Sequence, residues 1–309
     1  MTVSPRSLGV GGGGVRNETR EALMAVGSGD IEIVKRLKRE GYLSGPLSVI
    51  EIGAQQLANS LLEARDSLEG VGDLFGASRP CPLPSATPIQ VGDGGLEHLA
   101  ENAPDARELW RWLGFDYAAI DIDGSPGSIP LDLNYDSAPN HILGKYQLVT
   151  NFGTTEHVAN QLNAFKVIHD LAAPDGVMIH HLPMQGMLNH GLINYNPKFF
   201  WMLARSNGYR VVYMNVNAAT SYYALPENIT GAVAPFEPDI KVRRHAYRVA
   251  EMGVIAVLQK VYDTPYVAPI DVNTGTRTDN KVLEERYWSV FKPNAFEALA
   301  SAKDPHRTA

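Results

Sequence analysis

The feature that most constrains the fold is a series of short apolar segments that alternate with segments of helical periodicity. The first of them, Leu47–Gly53, is apolar along most of its length and ends in a glycine, which is typical of a buried strand in a parallel sheet. Six further segments have strand character: Phe115–Asp121, Ile129–Leu131, Tyr146–Thr150, Val177–His181, Tyr209–Val216 and Met252–Tyr262. The alternation predicts an α/β three-layer sandwich with a mostly parallel seven-stranded sheet that ends in an antiparallel strand.

Helical segments separate these strands. The clearest begins at Asn196-Pro197 and stops at Gly208, because Asn caps helices, Pro suits the first helical position and Gly suits the residue after the last turn. Asp30 is the predicted N-cap of the second part of an N-terminal helix. The predicted helices are Asn17–Glu40, Ala58–Leu68, Ala106–Leu113, Thr155–Leu171, Pro197–Asn207 and Asp239–Ala250.

Composition changes along the chain divide it into three parts. Residues 1–45 are predicted to be a flexible tail and a helical cover, 46–262 the catalytic core, and 263–309 a C-terminal extension. Inside the core, residues 70–102 are rich in Gly and Pro and too long for an ordinary connection, so we expect an insertion. It would serve as a lid or as a contact between the copies of a homodimer.

Charge and cysteine content exclude several classes of protein. Lys and Arg total 27 against 34 Asp and Glu, a net charge of −7, so we expect neither nucleic acid nor an anionic membrane as partner. Cys81 is the single cysteine, which excludes an intrachain disulfide. Without an 18-residue apolar run or a secretory signal in the sequence, we expect a cytoplasmic location. The Gly11–Gly14 run follows no strand and is not predicted to bind phosphate.

Acidic residues accompany the ends of the first three predicted strands. Glu51 lies within the first strand, Asp121 and Asp123 follow the second, and Asp132 follows the third. Ligands of open α/β sheets bind beyond the carboxyl ends of the strands, so these side chains are expected around one site. Carboxylates accept hydrogen bonds from ribose hydroxyls and suit a cationic ligand better than a polyphosphate.

In their order and spacing these segments resemble the class I S-adenosylmethionine-dependent methyltransferases, over Pro46–Tyr262. The segments that carry the resemblance are Val49–Gln55, Ala119–Asp123, Pro130–Asn134, Tyr146–Gly153 and Leu171–Ile179. The resemblance implies S-adenosylmethionine as cofactor and in-line methyl transfer, with Asp121 at the ribose and Asp132 near the adenine. The residues it implies for cofactor binding are Glu51, Gly53, Ala54, Gln55, Asp121, Asp123, Asp132, Asn151 and Gly153.

One departure from the family pattern concerns the glycine motif. The family has two or three glycines at alternate positions, whereas here only Gly53 remains and Ala54 and Gln55 follow it. A side chain at position 55 would narrow the approach of a ligand to the backbone, or it would hydrogen-bond the cofactor.

Candidate catalytic residues are His157, His180, His181 and Tyr195. Neutral histidine is available as a base near pH 7, and an oxygen or amine acceptor needs one, whereas a thioether does not. Because adjacent strand residues face opposite sides, at most one of His180 and His181 should face a given pocket. The predicted substrate-binding residues are Asn189, His190 and Arg244, the last as partner of a substrate carboxylate. The acceptor is expected to be a small molecule, with an amino acid such as methionine among the options.

Two other functions remain open on the sequence alone. The reduced glycine motif is compatible with a protein that binds the cofactor without catalysis. His180, His181 and His190 are compatible with a metal-dependent enzyme, although no ligand spacing in the sequence indicates a metal and none is predicted. A nicotinamide dehydrogenase is disfavoured because no Gly-x-Gly-x-x-Gly follows a strand, and a serine hydrolase because no Gly-x-Ser-x-Gly occurs.

Overall fold

The computed structural model describes residues 25–85, 103–125, 127–187, 190–217, 222–224 and 248–271. Several predicted features lie outside these residues. They are the tail with its glycine run, the start of the first helix at Asn17, the second half of the insertion, Asn189, Arg244 and the C-terminal extension beyond residue 271.

Nine strands lie in the described part of the chain. They are β1 (Ser48–Ile52), β2 (Asp116–Asp121), β3 (Ile129–Pro130), β4 (Tyr146–Phe152), β5 (Ala172–Gln185), β6 (Arg210–Asn217), β7 (Tyr222–Ala224), β8 (Arg248–Ala250) and β9 (Met252–Gln259). Seven of them form one sheet in the spatial order β3-β2-β1-β4-β5-β9-β6, and β7 pairs with β8 alone.

The large sheet is parallel except for its last strand along the chain. The pairs β2–β3, β1–β2, β1–β4 and β4–β5 are parallel, whereas β9 runs antiparallel to both β5 and β6, between which it lies. This order confirms the predicted mostly parallel, Rossmann-like methyltransferase fold. It also creates a switch point, because the chain moves outward from β1 to β3 and then returns to β4 on the other side of β1. Connections that leave in opposite directions open a crevice at such a point.

Helices cover both faces of the sheet. The first four, α1 (Ser28–Arg39), α2 (Asn59–Glu63), α3 (Arg65–Phe75) and α4 (Ala106–Trp112), pack on one face, and α5 (Gln161–Leu171) and α6 (Pro197–Asn207) pack on the other. Leu37, Leu68 and Trp110 are fully buried on the first face, and Phe165 and Phe200 on the second. The three-layer prediction is therefore confirmed. None of the helices described here has the length and apolar character needed to cross a membrane.

The ends of α6 follow the predicted capping chemistry. The Asn196 side chain accepts a hydrogen bond from the Lys198 backbone N–H (2.9 Å), and Pro197 is the first helical residue. Gly208 ends the helix with a φ of +64°, a left-handed conformation that suits glycine.

Four predictions about helices differ from the structure, and the fifth strand is longer than predicted, Ala172–Gln185 instead of Val177–His181. Asp30 lies inside α1, where its side chain accepts from the Gly27 N–H, so Gly27 occupies the cap position. The segment predicted as one helix from Ala58 is two helices, and the segment from Thr155 is a 3₁₀ turn followed by α5. Arg248–Ala250 is a strand, not a helix end, because it pairs with Tyr222–Ala224.

Candidate functional site

A pocket of about 610 Å³ opens at the predicted edge of the sheet. Gly53 after β1, Asp121 at the end of β2 and Gly153 after β4 all line it, so it coincides with the switch point between β1 and β4. Seven residues predicted to bind the cofactor line the pocket: Gly53, Ala54, Gln55, Asp121, Asp123, Asp132 and Gly153. Of the predicted catalytic residues, His157 lines it.

The loops after β1 and β4 approach each other closely at Gly53. A Cβ atom at this position would lie 2.3 Å from Oγ1 of Thr154, and the φ of Gly53 is +78°. Both facts require glycine, because L-residues rarely adopt this conformation and any side chain would collide with the β4 loop. The single remaining glycine of the motif thus lies where the Thr154 side chain leaves no room for a substituent.

The Gln55 side chain folds back onto these same loops. Its Nε2 lies 3.2 Å from both the Gly53 carbonyl oxygen and Thr154 Oγ1, and the side chain is buried. Its Oε1 atom is buried and has no hydrogen-bond partner among the described residues. Gln55 therefore bridges the two loops, and one buried acceptor of its amide has no partner among the described residues.

Three carboxylates lie along the pocket beyond β2 and β3. Asp121 Oδ2 accepts from the Ala54 N–H (2.9 Å), which fixes the carboxylate against the β1 loop. Hydrogen bonds from the Ser125 hydroxyl and backbone N–H lower the pKa of Asp123 below its usual value. Asp132 Oδ1 accepts from the Asn134 N–H (2.8 Å). With Asp105, these residues give the pocket an acidic wall.

Arg107 is the one Arg or Lys among the described lining residues, and it pairs with Asp105 at 3.1 Å. Apolar side chains complete the wall, and one of them, Ile122, is 69% exposed although it directly follows Asp121. The other apolar lining residues are Ile120, Leu131, Leu133 and Val158. The pocket thus combines an acidic rim with an apolar surface.

Glu51 was predicted to contact the cofactor, but the structure gives it an internal role. It is fully buried and is absent from the described pocket lining. Its two oxygens accept from Trp110 Nε1 (2.7 Å), the Tyr117 hydroxyl (2.8 Å) and the Gln55 N–H (3.0 Å). Burial raises the pKa of Glu51 to about 7, against the opposing effect of the three hydrogen bonds. Glu51 therefore acts on the pocket through the backbone of Gln55.

Asn151 and Tyr195 likewise lie behind the pocket instead of in its described lining. Asn151 is fully buried within β4, where Nδ2 donates to Thr155 Oγ1 (2.9 Å). The Tyr195 hydroxyl donates to the same oxygen (2.9 Å) and lies 2.5 Å from Gln161 Oε1. Burial raises the Tyr195 pKa well above its usual value, so this phenol stays protonated. Both residues hold the turn that follows β4.

His180 and His181 face opposite sides of β5, as strand alternation predicts, and neither is in the described pocket lining. His180 packs against Phe165 and Phe200, and its Nδ1 accepts from Asn151 Nδ2 (3.2 Å). Burial lowers the pKa of His180 to about 3. His181 Nδ1 lies 2.9 Å from Oδ1 of Asp30 at the start of α1, and both are buried. The alternative metal site formed from His180, His181 and His190 is therefore wrong.

His157, the predicted catalytic histidine that lines the pocket, forms a cluster with His190 and Glu156. His157 and His190 have ring centroids 5.3 Å apart, and both approach Oε1 of the buried Glu156. Glu156 is not among the site residues predicted from the sequence, because no ligand spacing links it to His190 and an adjacent glutamate and histidine commonly lie at the surface. The sequence signal available for it was its position shortly after the end of a predicted strand, close to the apolar Val158.

Comparison with known proteins places this chain among proteins of similar fold. No protein-family model matches the sequence, and no curated protein matches it significantly. Solved structures match with identities of 9–12%. A methyltransferase of Archaeoglobus fulgidus described as S-adenosylmethionine-dependent matches at 12% identity, with 74% of this chain and 94% of that chain covered and a TM-score of 0.34.

Two further structures have comparable similarity. The 1,6-didemethyltoxoflavin-N1-methyltransferase of Burkholderia thailandensis matches at 11% identity, 79% and 81% coverage and a TM-score of 0.37. A methyltransferase of Bacillus halodurans, so described without an assigned substrate, matches at 9% identity, 75% and 100% coverage and a TM-score of 0.41. At these values the similarity concerns fold alone, and the strand order carries the fold assignment.

Replacement of Glu51 by Gln tests its internal role. Because the folded state keeps the Glu51 proton up to about pH 7, whereas the unfolded chain releases it near 4.5, stability present at low pH is lost as the pH rises. Between pH 5 and 8 the free energy of unfolding of the unsubstituted protein should therefore fall by about 2.5 kcal/mol more than that of Glu51→Gln. Denaturant unfolding at both pH values measures this difference.

Glu108→Gln, at an exposed position of α4, is the control. Equal pH dependence in Glu51→Gln and the unsubstituted protein would contradict the assignment.

Replacement of His180 by Phe tests whether this histidine is a buried, neutral core residue. The pKa of His180 is lowered from 6.5 in the folded state. As the pH falls, the unfolded chain therefore binds a proton at a higher pH than the folded protein does, and stability is lost. From pH 7.5 to 5 the unsubstituted protein should lose about 2 kcal/mol more unfolding free energy than His180→Phe. His141→Phe, at an exposed histidine, controls for the change of residue type. If His180→Phe loses as much unfolding free energy between pH 7.5 and 5 as the unsubstituted protein, His180 is not a buried, neutral core residue.

Proposed function

We propose that the protein transfers a methyl group from S-adenosylmethionine to a small-molecule acceptor bound in the same pocket. The observation that carries the proposal is the position of Asp121. Its carboxylate ends β2 beside the β1–β4 switch point and is held there by the Ala54 N–H. A carboxylate so placed suits the two hydroxyls of a ribose.

The charge of the pocket supports this cofactor over nucleotides with phosphate groups. Four carboxylates line the described pocket, against Arg107, which is itself paired with Asp105. Such a wall favours a sulfonium cation and disfavours a pyrophosphate. The exposed Ile122 side chain next to Asp121 supplies an apolar surface for an adenine ring.

Size and backbone geometry also fit. A pocket of about 610 Å³ falls within the range that encloses ligands of this size. At Gly53 a Cβ atom would collide with the Thr154 side chain, so glycine at this position permits the close contact of the two loops that line the pocket. The unpaired Oε1 of Gln55 is an acceptor left for a donor group of a ligand. Asp121, Asp123, Asp132 and Gln55 are the residues proposed to hold the cofactor.

The chemistry supplied by the bound cofactor is a methyl group on positive sulfur, open to in-line attack. The protein's part is to hold donor and acceptor in line and to exclude water. His157 lines the pocket and is assigned to the acceptor. Burial and the neighbouring His190 lower its pKa below 6.5, so its imidazole is neutral at pH 7. That state suits an oxygen or nitrogen acceptor, which must lose a proton, better than a thioether.

One observation favours a second function, in which the cofactor binds without turnover. Gln55 fills the position of a family glycine and is tied to Gly53 and Thr154. This bridge narrows the space over the β1 loop. Binding that persists while a broad panel of hydroxyl and amine acceptors yields no methylated product would favour the second function.

Replacement of Asp121 by Ala should weaken the binding of S-adenosylhomocysteine. The loss of charge-assisted contacts to the ribose costs about 1–3 kcal/mol, or roughly 5- to 150-fold in Kd. Isothermal titration calorimetry measures this directly, and Asp121→Asn, which keeps one acceptor oxygen, should lose less.

Asp116→Ala is the matched control, because Asp116 is an exposed residue at the opposite end of the same strand. Its Kd should equal that of the unsubstituted protein. NADH and ATP serve as comparison ligands and should bind at least tenfold more weakly. An unchanged Kd in Asp121→Ala, or no binding of S-adenosylhomocysteine at millimolar concentration, would contradict the proposed function.

A further inference from the structure

Three metal-ligating side chains meet at one side of the pocket, apart from the residues proposed to hold the cofactor. Glu156 Oε1 lies 3.4 Å from His190 Nε2 and 4.0 Å from His157 Nε2. One ligand atom from each of the three residues lies within 4.8 Å of the others. Ligands at about 2.0–2.2 Å from a tetrahedral zinc ion are roughly 3.3–3.6 Å apart, so the cluster is close to the size required.

Glu156 is the unusual member of this group. Its side chain is fully buried, and its Oε2 atom has no hydrogen-bond partner among the described residues. A buried carboxylate oxygen without a partner is costly, and proteins relieve this cost by pairing the group or by coordinating a metal ion. This orphaned oxygen is an observation separate from the clustering of the three side chains.

The surrounding backbone fixes Glu156 in this position. The N–H groups of Leu192 and Ile193 donate to the Glu156 carbonyl oxygen at 2.8 and 3.1 Å. At Gly191 an added Cβ would lie 2.8 Å from Glu156 Cγ, so the segment after β5 packs directly on the glutamate. The same contact brings His190 to the cluster, which links two segments that are distant in sequence.

We propose that Glu156, His157 and His190 bind one divalent transition-metal ion, with zinc as the reference case. Two imidazoles and one carboxylate form a ligand set that suits zinc and related ions, and three protein ligands leave a coordination position for water or another oxygen. The His190 side chain is 6% exposed, whereas the His157 side chain is 41% exposed. A modest movement of the more exposed His157 ring closes the site around the ion.

The metal site adjoins the proposed cofactor site, because His157 lines the pocket together with Gly53 and Gly153. An ion held here would lie at the pocket wall, and its open position would accept an oxygen of the methyl acceptor. A metal ion lowers the pKa of a hydroxyl bound to it, which replaces the need for a free histidine base. This consequence rests on the proposed function, whereas metal binding itself does not.

The experiment uses the full chain, stripped of metal with a chelator and titrated with Zn²⁺ by calorimetry. We expect one ion per chain, and at least about tenfold weaker binding in His157→Ala, His190→Ala and Glu156→Gln. Titration with Co²⁺ should give the intense visible absorption of a four-coordinate site, and each variant should lose it. His141→Ala, which removes an exposed histidine outside the cluster, should bind zinc like the unsubstituted protein.

Two results would overturn the metal site. One is the absence of stoichiometric zinc binding by the stripped protein, and the other is an unchanged zinc affinity in both His157→Ala and His190→Ala. Circular dichroism and thermal melting of each variant establish that it is folded. His157→Ala should disturb the fold least, because the His157 ring is exposed. Titration of the same stripped sample with S-adenosylhomocysteine separates the two proposals, because cofactor binding without zinc removes only the metal site.

Discussion

The close approach of two loops at the sheet's switch point determines the shape of the pocket. Gly53 after β1 and Thr154 after β4 leave no space for a Cβ atom between them, and Gln55 bonds to both. Because β1 and β4 are neighbours in the sheet while their connections leave in opposite directions, a crevice opens beyond the ends of these strands, next to the contact between the loops. The ligand site is thus a direct consequence of strand order.

Buried polar groups hold these loops from behind. Glu51 accepts from the backbone of Gln55 and from two aromatic side chains, and Asn151 and Tyr195 converge on Thr155 in the turn after β4. These three residues carry polar groups that point away from the described pocket. Their cost of burial is offset by complete or nearly complete hydrogen bonding, and the result is a rigid frame for the residues that face the ligand.

The sequence predicted the layers, the mostly parallel sheet and the acidic residues of the pocket wall at the strand ends, because these depend on local patterns. Apolar runs, an Asn-Pro helix start and acidic residues at strand ends are each visible within a few residues. It did not predict which side chains turn inward. Asp30 lies 151 residues from its partner His181, and His190 lies 34 from Glu156. Glu51 and Asn151 sit in strands beside the pocket, and only their long-range partners reveal that they face the interior.

Long-range pairing also explains why part of the helix predicted over Asp239–Ala250 is wrong. Of this segment the structure describes Arg248–Ala250, and these three residues pair with Tyr222–Ala224 as a strand, whereas Asp239–Tyr247 lies outside the described residues. Backbone hydrogen bonds to a distant segment outweigh a weak local preference. Pocket residues at strand ends can be predicted from the sequence, because the strand order alone brings them together.

A crystal structure of the complex with S-adenosylhomocysteine tests the central claim most directly. The account predicts that the ligand occupies the pocket between the β1 and β4 loops. A ribose hydroxyl should then lie about 2.5–3.2 Å from a carboxylate oxygen of Asp121, with the adenine ring against Ile122. A ligand bound elsewhere, or one in this pocket with its ribose turned away from Asp121, would contradict it.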